Sequence, residues 1–225
     1  MGKVILMTEY MTDKPITMIG RMAGECYGSD TSDDEKNYKR GLDCLADNHG
    51  RTFEFPDIYA KFEGFSARVI REWYTHIGGM PTRLQASTRY INYDNFASIV
   101  PPEVQDNPKA LRVYNSVIKV IRWGYKKLLE LKIPKEDAAN ILNLGMTTTI
   151  VDKRNLRNLM DMHPNRLCKR AYWEFRELLK QYDRELRNIS DEWEYIVDNY
   201  FKPKCVELEY CPESRTCGMM PRRGE

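Results

Sequence analysis

The chain has 225 residues, 42% of them hydrophobic and 30% charged, and a formal net charge of +2 at pH 7. That length supports one good-sized domain or two small ones, with the composition of a soluble globular protein that has a sizeable core. So slight a positive excess argues against a general polycation for nucleic acid, though a local arginine cluster can still hold a small anion; no apolar run approaches the ~20 residues of a membrane span.

The first apolar run predicts a strand over residues 4–10. No signal-peptide cleavage pattern follows it, so a cytoplasmic protein is expected. Gly2 does not make a myristoylation signal, because Leu6 stands where Ser or Thr is required. Pro15 opens a helical pattern over 16–27, and the polar turn 29–34 offers N-cap residues for a helix over 35–48. His49-Gly50 ends that helix. Residues 52–55 and 58–62 alternate like strand, interrupted by Pro56. Another helix runs from Ser66 toward Tyr74, with Val69, Ile70, Trp73 and Tyr74 at three- and four-residue spacings.

Gly78-Gly79 and Pro81 stop this helix. If the next run is extended, its period of two puts Arg83, Gln85, Ser87 and Arg89 on one face. Two guanidiniums, an amide and a hydroxyl in that arrangement suit a phosphate and a heterocycle. On pattern alone a charged, solvated edge strand fits as well.

After a loop at 101–108, a long helix is expected over 109–131, with Val113, Val117, Ile121 and Leu128 as its apolar stripe and Gly124 weakening its middle. Further helices are expected over 135–143, 152–162, 166–188 and 190–201, with a strand or extended connection over 146–151. Basic residues in the helices near 109–132 and 169–187 are interleaved with acidic ones, so a solvated face is the better reading than a nucleic-acid surface.

The six cysteines divide in two. Cys26, Cys44 and Cys168 read as core thiols. Cys205, Cys211 and Cys217 crowd the tail with five residues between successive members. That is not a standard zinc spacing and no His lies near, so no metal is expected; redox-sensitive or buried thiols in a reducing compartment fit better.

The run Gln85-Ala86-Ser87-Thr88-Arg89-Tyr90, preceded by Arg71-Glu72-Trp73-Tyr74 and His76, resembles the signature of the flavin-dependent thymidylate synthases. That family carries an R-H-R triplet, a short spacer and an E-x-S-x-R-Y run. Here the triplet reads Thr75-His76-Ile77, and the spacer is about two residues longer. His49, Phe53 and Glu54 resemble the family's H-x-T-x-F-E pattern with its Thr displaced to Thr52. A second landmark lies about seventy residues on: Asn155-x-Arg157 resembles the helical N-x-R, Arg166 falls eleven residues after Asn155, and Trp173-Glu174 is in register.

The resemblance implies a single helix-rich α+β domain with a small, mostly antiparallel sheet, over residues 1–202, followed by a cysteine-containing tail over 203–225. It implies a cytoplasmic homotetramer that binds FAD and methylates dUMP to dTMP, using methylenetetrahydrofolate and NADPH. His76, His49, Asn155, Arg157 and Asp161 are the implied flavin contacts. Glu72, Arg83, Gln85, Ser87, Arg89 and Arg166 are the implied nucleotide contacts. Ser87 and Arg166 take the catalytic positions, Ser87 as a nucleotide contact rather than a covalent nucleophile. Neither nucleic acid nor a membrane is an implied partner.

The departures matter. Thr75 and Ile77 cannot supply the triplet's charge, although Arg83 on the longer spacer could. Asn140 stands where the family has an Arg, and Glu72 where it has a Gln, so a carboxylate beside a phosphate needs a partner. These losses motivate an alternative: a homologue that binds nucleotide without turnover or with altered specificity.

Overall fold

The computed structural model describes residues 2–224. Its centre is a four-stranded, wholly antiparallel sheet of order β1-β2-β4-β3, from β1 (Lys3–Leu6), β2 (Asp57–Ser66), β3 (Thr82–Gln85) and β4 (Thr147–Asn155). Around it, in chain order, lie α1 (Pro15–Cys26), α2 (Asp34–Ala46), α3 (Ala67–Trp73), α4 (Pro102–Gln105), α5 (Pro108–Glu130), α6 (Lys135–Ala138), α7 (Leu156–Arg166), α8 (Trp173–Arg187), α9 (Asp191–Tyr200) and α10 (Lys204–Glu207). The expected class, helix-rich α+β with a small antiparallel sheet, is what the chain adopts.

In β2 the pleat buries Ile58, Ala60 and Phe62. A bulge between Glu63 and Phe65, with Gly64 at φ +70°, then brings both Phe65 and Ser66 inward. The buried face meets α8, whose Phe175, Leu178, Leu179, Tyr182 and Leu186 recur at helical spacing. Trp73 of α3 closes the cluster, edge-on to Phe62 at 4.9 Å and beside Phe175 at 5.5 Å. α1 and α2 pack closely because Gly20 and Gly41 carry no Cβ; one there would meet the Asn37 carbonyl at 1.8 Å and the Ile16 carbonyl at 2.0 Å. A second core beneath α5 gathers Tyr93, Phe96, Ile118, Tyr125, Ala138 and Met146.

Several boundaries differ from the sequence expectations. Residues 52–55 are not strand: Gly50–Glu54 is a 3-10 turn in which the Thr52 hydroxyl donates to the His49 carbonyl and Phe53 is fully buried. The first strand stops at Leu6 and gives way to another 3-10 turn, Thr8–Tyr10. The helix expected from residue 152 begins only at Leu156, because 147–155 is a strand paired on both sides. The helix expected from 166 is broken, and α8 starts at Trp173. In α5, Ile121 and Leu128 pack on the second core as expected, whereas Val113 and Val117 face outward with Val120. Among the described residues no helix is long and apolar enough to cross a membrane.

Candidate functional site

The β4–α7 junction carries the site. Asp152 and Arg154 lie two apart on β4 and so share its buried face. Arg154 is fully buried: Nε donates to Asp152 Oδ2 at 2.6 Å, Nη2 to Oδ1 at 2.8 Å, and Nη1 to Asn158 Oδ1. Its guanidinium stacks 4.0 Å from the Trp73 ring, while Trp73 Nε1 donates to Asp152 Oδ1 at 3.0 Å. A buried charge is tolerable only when paired and hydrogen-bonded this completely.

From this hub two asparagines reach the segment after α3. Asn155 caps α7 by accepting from Asn158 N at 3.0 Å, and its amide donates to the Gly79 carbonyl at 3.3 Å. Asn158 Nδ2 donates to the carbonyls of Gly78 and His76. Gly79 sits at φ +70°, and a Cβ there would lie 2.6 Å from the Asn155 amide. The Gly-Gly spacer is thus shaped by α7 from across the sheet.

At the other end of α7, Arg166 returns to α3. Nε donates to His76 Nε2 at 2.8 Å, Nη1 to Glu72 Oε2 at 3.3 Å, and Nη2 to Thr75 Oγ1 at 3.4 Å. The guanidinium lies 5.0 Å from the Phe175 ring centre. Burial, then the neighbouring Arg166, Arg154 and His163, pull the His76 pKa down to about 4. At neutral pH the ring is therefore uncharged and accepts from Arg166. Arg166 is thus the partner that the Glu72 carboxylate requires. His76 and Arg166 border a cavity of about 460 Å³ walled by the α7–α8 connection and the tail.

The remaining expected residues fall into separate places. Arg157, in the first turn of α7, pairs with Asp161 at 3.3 Å and lies flat on Gly50, where a Cβ would sit 1.3 Å from its Nη1. This puts Arg157 beside His49, which is exposed. Arg83 folds over Tyr74, 4.6 Å from the ring centre, and donates to the Tyr74 carbonyl at 3.0 Å. Gln85 donates to Thr148 Oγ1 at 3.4 Å. The extended run ends there: residues 88–90 form a turn, and Ser87 accepts from Arg89 N at 3.2 Å. The four-residue face expected over 83–89 therefore does not form. Arg89 pairs with Glu136 of α6 at 2.9 Å, and Asn140 donates to carbonyls of that same short helix. Ile77 is exposed.

Three important residues lay outside the sequence expectations. Arg154, Asn158 and Asp152 look like ordinary helix-surface residues unless 147–155 is read as strand. Glu174, noted only as half of a Trp-Glu pair, is buried and accepts from Ser66 N at 2.7 Å and from the Ser66 hydroxyl at 2.5 Å. It thereby fixes the N-terminus of α3, which Ser66 caps.

A small antiparallel sheet with an arginine–histidine–carboxylate group at its helical edge defines a helix-rich class of α+β protein. Residues 7–190 match the family described as "Thymidylate synthase complementing protein", and the chain belongs to that family. Among similar proteins, the flavin-dependent thymidylate synthase of Clostridium tetani is 26% identical over 97% of this chain and 94% of its own length. That of Thermococcus kodakarensis is 34% identical over 80% and 76%. Among solved structures, the ThyX of Helicobacter pylori with FAD and dUMP aligns with a TM-score of 0.68 at 19% identity, over 90% of this chain and all of that one. The UMP/dUMP methylase PolB of Streptomyces cacaoi, bound with 5-Br dUMP, gives 0.70 at 16% identity, over 89% and 96%.

Proposed function

We propose that this chain is a cytoplasmic flavin-dependent thymidylate synthase, methylating dUMP to dTMP with methylenetetrahydrofolate as carbon donor and NADPH as reductant. The observation that carries this reading is the Arg166 guanidinium held in one orientation by neutral His76, Glu72 and Thr75 at the edge of a cavity. Such a fork is preorganised for an anionic, flat ligand.

The residues present fit FAD. Arg157 is a partly exposed cation seated on the bare backbone of Gly50, next to His49, and it pairs with the exposed carboxylate of Asp161. FAD, when bound, supplies the hydride chemistry. Arg157, His49, Asn155, Asp161 and His76 hold and orient it; His76 does so without adding charge. Arg83, lying against Tyr74 beside Thr75, partly compensates for the missing arginines.

Arg166, Gln85, Ser87 and Arg89 bind the nucleotide, with Glu72 steering Arg166. Within one chain Arg89 pairs with Glu136 of α6 and Ser87 bonds to the Arg89 backbone, and neither shares a partner with Arg166. In this reading the complete nucleotide site is assembled between subunits of a homotetramer. The outward stripe of Val113, Val117 and Val120 on the 23-residue α5 is a surface suited to that association. Release of tritium from dUMP labelled at C5, dependent on NADPH and the folate, tests the proposal. Protein that takes up dUMP and FAD yet releases none would be the non-catalytic binder instead.

A further inference from the structure

Four of the six cysteines converge on one place. Cys168, in the connection between α7 and α8, lines the same cavity as Cys205, Cys211 and Cys217 of the tail. Among described residues 202–224 not one side chain is buried, and the only helix is the single turn α10. A segment with so little apolar burial needs a disulfide or a metal to hold its shape. The backbone is nonetheless specific: Cys211 N donates to the Pro221 carbonyl at 2.7 Å, Cys211 bridges to Arg222, and the intervening loop turns at Gly218, φ +79°. Arg170, two residues after Cys168, pairs with Glu213 at 2.6 Å and ties this loop to the α7–α8 connection.

We propose that Cys168, Cys205, Cys211 and Cys217 form a four-thiolate structural zinc site that folds the tail onto the catalytic domain. Zinc takes four sulfurs tetrahedrally at about 2.3 Å, and such closed sites contribute folding energy outright. Binding converts four thiols to thiolates with release of up to four protons, leaving the centre with two net negative charges. Lys169 and Lys204 line the same cavity and offset that charge. Among the described residues no three His, Cys, Asp or Glu side chains already stand at ligating separations. The ion must draw the thiolates inward, and the tail, lacking buried anchors, is the part that moves.

The test is metal analysis of the purified full-length protein, alongside C168S, C205S, C211S and C217S, with exposed Cys26→Ser as control. About one zinc per chain is expected in the parent and in Cys26→Ser, falling at least tenfold in each of the other four variants. Cobalt reconstitution should give the intense visible bands of tetrahedral thiolate coordination, lost in the same variants. Protein free of zinc after expression with the metal supplied, and giving no such bands with cobalt, would overturn the proposal. So would an intact mass lower by 2 or 4 Da, the signature of disulfides. Neither readout depends on turnover, so failure here is distinguishable from failure of the proposed enzymatic activity.

Discussion

Replacing Asp152 with Asn is the severest isosteric test of how the site is held. Arg154 is fully buried, and among the described residues Asp152 is its counter-charge, through bonds of 2.6 and 2.8 Å, while also accepting from Trp73. Removing one partner of a buried pair leaves an uncompensated charge and costs about 3–5 kcal/mol. That is a large fraction of the roughly 5–15 kcal/mol that holds a domain together, and it lowers Tm by about 6–20 °C at this chain length. Urea unfolding followed by tryptophan fluorescence gives the free energy, since Trp73 lies inside the hub. The double variant D152L/R154M should recover most of the loss, because apolar residues of similar volume replace buried pairs at little cost. A loss below about 1 kcal/mol in Asp152→Asn, or a double variant worse than the single one, would refute the hub's role.

Three more outcomes are expected. The His76 ring should titrate by NMR with a midpoint near the indicated pKa of about 4, and a midpoint close to 6.5 would contradict its neutral, Arg166-bound state. Because the folded pKa is lowered, the unfolded chain takes up the proton first, so stability should fall as pH drops from about 6.5 toward 4; the half-buried ring makes this effect much smaller than the shift alone would give. Gly79→Ala should destabilise the protein by about 1–3 kcal/mol and weaken FAD retention, since its positive φ and the Asn155 amide leave no room for a methyl; unchanged stability would show that the spacer is not held as described. Val117→Lys on the outward face of α5 should reduce the oligomer seen by light scattering without unfolding the chain, and an unaltered assembly would exclude this stripe as its interface.

Much of the fold was legible because its helices announce themselves. Pro15 at the first position of α1 and the polar turn that supplies Asp33 as the cap of α2 marked their starts in the sequence. The β4–α7 junction was not legible in the same way. Its strand carries Asp152, Lys153 and Arg154 in succession, which read as a solvated helix until the pairing with β2 and β3 makes alternate members buried. Asn155 was recognised as a functional residue, yet its role as the cap that begins α7 appears only with that strand in place. Arg166, His76 and Glu72 were each singled out, but not their mutual bonds, because ninety residues separate the two segments. The face expected over 83–89 failed where a turn after Gln85 redirected Ser87 and Arg89. Periodicity describes a segment; it does not say where tertiary pairing lets that segment stop.

The most direct test of the account is the affinity of the FAD-loaded protein for dUMP, measured by calorimetry for the parent, Arg166→Ala and the surface control Arg184→Lys, whose side chain pairs with its neighbour Glu185. Charge-assisted hydrogen bonds are worth about 1.5–3 kcal/mol, so the account predicts a loss of roughly 10- to 150-fold for Arg166→Ala alone. Equal affinity in all three would contradict it, because the guanidinium held by His76 and Glu72 would then have no part in binding the nucleotide.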